Sequence, residues 1–88
     1  MNRTELNAWL EDEEEIIILD PEEYDAAIIG IAERIGMRRV LAYDREKLIE
    51  ILMRSPMTYE EAVEYFEFNT LGAFLGETTP IFIERLDG

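Results

Sequence analysis

Eighty-eight residues, 48% of them apolar, with no cysteine, no histidine and a net charge of −13, bound what this chain can be. One domain over residues 1–88 is expected, and the apolar content excludes a disordered chain. The composition also excludes disulfides, thiolate metal sites and any mechanism built on an imidazole base or a thiol nucleophile.

Charge is unevenly distributed. Residues 1–25 hold ten acids and one base, residues 26–57 four acids and six bases, and residues 58–88 seven acids and one base. Two acidic ends therefore flank a mildly basic middle. At this charge density DNA, RNA and anionic lipid should repel the chain, so no direct nucleic-acid or membrane contact is expected. The longest early apolar run, residues 16–19, is too short for a secretory leader or a membrane span, which implies a cytoplasmic protein.

The first predicted element is a short helix in TELNAWLEDEEE, with Thr4 as N-cap and Leu6, Trp9 and Leu10 on one stripe. Glu11, Asp12, Glu13, Glu14 and Glu15 stand where the helix dipole prefers cations, so the helix should fray there. Residues 16–19, IIIL, read as a strand ended by Asp20-Pro21. Residues 26–43 read either as a helix with Ala27, Ile28, Ile31 and Ile35 on one face, or as two strands. Gly30 and Gly36 favour the strands, AAIIGIAE and RRVLAY, joined around residues 34–37.

DREKLIEILMRS predicts a helix capped by Asp44, with Leu48, Ile51 and Leu52 inward, Ile49 and Met53 widening the stripe, and Ser55-Pro56 as the stop. Thr58-x-x-Glu61 is a capping box. The helix it opens places Tyr59, Ala62, Val63 and Phe66 on one face and Glu60, Glu64 and Glu67 on another. Tyr65 and Phe68 fall outside the main stripe and are expected in the core on a wide arc, Phe68 under the last strand; Trp9 is expected in the core too. Gly72 and Gly76 end the helix, and IFIE after Pro80 reads as a last strand with Phe82 facing opposite to Ile81 and Ile83. The sum is an α+β fold: a small antiparallel sheet of three or four strands with two or three helices on one face.

Chemistry is harder to find. The single serine, Ser55, sits at a helix stop, and the glycines fit no phosphate-binding spacing. Asp20, Glu22, Glu23 and Asp25 offer oxygen ligands for a hard cation, but not at the spacing of a calcium loop; they read as a solvated turn. With 21 acids, adjacent carboxylates carry no information about catalysis. No enzyme activity, cofactor or metal is expected. The row Glu60, Glu64, Glu67 is more telling, because residues 58–83 contain no base at all, whereas an ordinary solvated helix mixes signs and gains Glu–Lys pairs. Such a row suits the basic groove of a nucleic-acid-binding protein, or halophilic solvation. Glu60, Glu61, Glu64 and Glu67, with Glu11, Asp12, Glu13, Glu14 and Glu15, are the candidate contacts to a basic protein partner. Arg34, Arg38 and Arg39 form the one basic patch, expected to pair within the chain, or in a homodimer with a second copy.

Tyr24-Asp25, Ala27-Ile28-Ile29-Gly30, Tyr43-Asp44, EILM at 50–53, MTYEEA at 57–62, YFEFN at 65–69, Gly72-Ala73-Phe74 and Gly76-Glu77-x-Thr79-Pro80 together resemble a family of small acidic proteins of phages and prophages, without assigned function. The resemblance spans about residues 16–84. It implies no catalytic or ligand residues. It does imply a class: small acidic phage proteins include inhibitors of host restriction and CRISPR systems, some of them DNA mimics. The alternative is a structural or homo-oligomeric module joined through a sheet edge or exposed aromatics.

Overall fold

The computed structural model describes residues 3–9, 16–19, 21–72 and 76–86. Helix α1 (Arg3–Trp9) begins one residue before the expected cap, so Thr4 lies inside it; Leu6 is its buried anchor. The side chain of Trp9, Leu10 and the acids at 11–15 lie outside the described residues, so the expectations placed on them do too.

Residues 16–19 are not a strand. They pack Ile16, Ile18 and Leu19 against the core, half-buried, without joining a ladder. The reason is a competing partner: a side chain of the central strand, and not a ladder, holds the segment. The Leu19 amide instead donates 2.9 Å to the buried Tyr43 hydroxyl. A 3-10 helix, Glu22–Ala27, follows Pro21 and buries Tyr24, Asp25 and Ala27.

The expected hairpin is present. β1 (Ile28–Ala32) pairs antiparallel with β2 (Val40–Asp44), with a register shift between Ile28 and Gly30. Gly36 takes φ 80°, the left-handed conformation a tight reversal requires. Ala26 and Ala27 belong to the 3-10 helix rather than to the first strand. β3 (Ile81–Ile83) pairs with β2 in parallel, so the sheet, ordered β1-β2-β3, is mixed and not wholly antiparallel. Parallel neighbours need a long crossover, and the two helices between β2 and β3 supply it.

Helix α2 (Arg45–Met53) starts as its sequence demands: Asp44 Oδ1 accepts from the Lys47 amide at 3.2 Å. Leu48, Ile49, Ile51 and Leu52 are buried, while Met53 is exposed and does not extend the stripe. The Ser55 hydroxyl donates to the Leu52 carbonyl at 2.9 Å, closing the last turn before Pro56. Helix α3 (Tyr59–Phe66) carries the complete capping box: the Thr58 amide donates to Glu61 Oε1 at 2.9 Å and the Glu61 amide to Thr58 Oγ1 at 3.2 Å.

One face of the sheet, with Ile28, Ile31, Leu41, Tyr43 and Phe82, meets both helices and forms the core with Ala62 and Phe66. The Phe82 ring stands edge-on to Phe66, 5.1 Å between centroids, and 6.2 Å from Tyr43. Edge-to-face packing of this kind adds to the area it buries. Phe82 faces the core while Ile81 and Ile83 are exposed, the alternation the sequence predicts.

Candidate functional site

Beyond Phe66 the helix does not stop. It widens into a π-helical turn, Glu67–Leu71, closed by the Gly72 amide on the Glu67 carbonyl at 3.1 Å. A Cβ at Gly72 would stand 3.1 Å from the Glu67 carbonyl oxygen and 3.3 Å from that of Phe68, so the turn is tight at this position. Isolated π turns recur at functional sites, since the extra residue re-aims the side chains around it.

The π turn overturns the expectation for the aromatics. Phe68 is 84% exposed and Tyr65 42%; neither enters the core. At about 100° per residue, Phe68 lies nearly opposite Phe66, and the place under the last strand is filled by Phe66 against Phe82. Tyr59, at the first helical position, is half-exposed, and the buried stripe begins only at Ala62. Leu71 is exposed as well. The sequence did carry the signal for Phe68, in its angular distance from Phe66.

Of the four glutamates, Glu60 and Glu64 are exposed and form no ion pair among the described residues. They stand one helical turn apart, about 6 Å along the axis. Glu61 is bound into the cap, and its hydrogen bonds with Thr58, first through the backbone amide, hold its carboxyl below the usual range. Glu67 is not free. Arg45, at the start of α2, places its Nη2 3.5 Å from Glu67 Oε1, while its Nη1 lies 3.1 Å from Glu46 and 3.7 Å from Glu84. The same guanidinium carbon sits 5.4 Å from the centre of the Phe66 ring. No sequence spacing could have paired residues 45 and 67. The three-glutamate row is thus two free carboxylates and one held by a cation.

What α3 and its π turn present outward is therefore mixed: Glu60 and Glu64 beside Tyr65, Phe68 and Leu71. A pure imitation of a phosphate backbone would lack the apolar part. Nearby, the Tyr24 hydroxyl has its pKa raised, by burial first and then by Tyr65 and Glu23; it stays protonated through the neutral range.

Two of the three arginines of the basic patch pair within the chain: Arg39 Nε lies 3.3 Å from Glu33 and Arg38 Nε 3.7 Å from Glu77, whereas Arg34 is exposed and makes no ion pair among the described residues. Glu22 and Glu23 are exposed and Asp25 is buried, while Asp20 lies outside the described residues; among those described, no group of three or more acids could hold a metal ion. No described helix is long and apolar enough to cross a membrane. A scan against family models and searches of curated proteins and of solved structures each return no match.

Proposed function

We propose that this chain is a non-enzymatic acidic binding protein that uses the outer face of α3 and its π turn to engage a basic, nucleic-acid-binding protein in the cytoplasm. The observation that carries the reading is Phe68: a large apolar side chain, 84% exposed, held out by a closed π turn one turn after the exposed Glu64. Exposed aromatics serve as interface anchors, and carboxylates around them set orientation and on-rate toward a cationic surface. The partner's chemistry follows: an apolar pocket rimmed by Arg or Lys, as at the edge of a nucleic-acid groove. Blocking such a groove inhibits its owner, and an inhibitor of the anti-restriction or anti-CRISPR class, as the likeness to small acidic phage proteins suggests, is the role this reading gives the chain.

The test is retention of proteins from host lysate on the immobilised chain, with E60K/E64K and F68A in parallel, each washed at low and high salt. A nucleic-acid-binding protein that is retained in stoichiometric amount, elutes as salt rises and is lost with both variants supports the reading. Retention that neither variant changes overturns it.

A further inference from the structure

The sheet has a second, unrelated surface. β1 is five residues long, Ile-Ile-Gly-Ile-Ala, with no charge and no proline; one of its edges is bonded to β2, and no described strand pairs with the other. Proteins usually blunt such an edge with charge, proline or a bulge. Here only the register shift near Ile28 does so, which leaves the C-terminal half of the strand regular. Ile29 is exposed, and the remaining residues of β1 are partly so. Alongside the strand runs an apolar groove lined by Leu6, Ile28, Ile29, Ile31 and Leu41, with Arg39 at its rim.

We propose that the occupant of this edge is a second copy of the chain, joined antiparallel, β1 to β1, so that two three-stranded sheets become one of six strands. Charge selects this partner. The N-terminal end of β1 follows the exposed Glu22 and Glu23, and its C-terminal end leads to the exposed Arg34. An antiparallel two-fold about Gly30 sets residue 34 of one copy opposite residue 26 of the other, bringing each Arg34 to the other copy's acidic 3-10 helix. β1 and Arg34 belong to the mildly basic third of the chain, and the acids they meet are the other copy's Glu22 and Glu23, so attraction offsets the repulsion between copies at this seam. The exposed Ile29 of each copy is covered by the other's strand. An isologous contact of this kind closes on itself and stops at two.

Sedimentation equilibrium over a wide concentration range tests this. The expected result is a monomer–dimer equilibrium in which I29K, a lysine placed on the joined edge, weakens association by about tenfold or more. R34E should weaken it several-fold, and adding E22R/E23R to R34E should restore it, because the two-fold couples these positions. Circular dichroism checks that I29K folds; the charge-swap series, on exposed residues, decides the matter if it does not. A monomer at every concentration, or a dimer indifferent to both I29K and R34E, overturns the proposal. So does a dimer that F68A dissolves and these variants do not. Because the lysate test uses α3 variants and this one uses β1, failure of either leaves the other standing.

Discussion

Tyr43 shows how one side chain can replace a strand. Its hydroxyl accepts from the Leu19 amide inside a part-buried environment, doing what a ladder bond would have done. Tyr43→Phe should leave that donor without its partner and cost about 1–3 kcal/mol, read as a drop in the urea midpoint with an unchanged slope. Glu61 contributes to the acid limb. Its carboxyl is lowered in the folded state, so its contribution is complete above the ordinary value of 4.5 and is lost as pH falls through the lowered one. The stability gap between the protein and E61Q should therefore be present at neutral pH and close in acid, in urea melts run at both.

At the scale of the element, α3 divides its aromatics by angle. Phe66→Ala opens a void against Phe82 and Arg45 and should cost about 3–5 kcal/mol. Phe68→Ala, on an exposed side chain, should stay within about 0.5 kcal/mol. Equilibrium urea unfolding of the two variants checks the assignment directly: equal losses would contradict it. Arg45 ties the start of α2 to the π turn and to the segment after β3. Its carboxylate partners are more than half exposed at Glu67 and Glu84, so screening keeps each pair weak, and much of its worth comes from lying over Phe66. Arg45→Met should cost about 1–2 kcal/mol, less at high salt, read from the same unfolding curves.

At the scale of the molecule, a charge of −13 on 88 residues is a standing self-repulsion. Added salt screens it, the Debye length shrinking to about 3 Å at 1 M. The thermal midpoint should therefore rise between low-salt buffer and molar sodium chloride, in a melt followed by circular dichroism. The same salt should weaken capture of a basic partner. Opposite salt responses of stability and of binding are the signature expected of charge retained for recognition.

Local chemistry determined much of this protein before any tertiary contact. Asp44, Thr58, Glu61 and Pro56 satisfy or interrupt backbone hydrogen bonds within a few residues of themselves, so the caps and the helix stop were legible in order along the chain, while Gly30 and Gly36 favoured the hairpin without excluding a helix. The stripe at Leu48, Ile49, Ile51 and Leu52, and the alternation in β3, followed from period alone. What needed the folded structure were the questions of competition for a place. Residues 16–19 have strand chemistry, but the Tyr43 hydroxyl took the Leu19 amide that a ladder would have used. β3 runs parallel because of where the crossover delivers it. Phe66, against Phe82, took the site that Phe68 was expected to fill, and Glu67 met an arginine twenty-two positions away in sequence. The two free carboxylates, the exposed aromatic beside them and the open strand edge are all remainders of that packing. A sequence names the candidates for burial, pairing and exposure, but only the packed chain assigns each place to one of them.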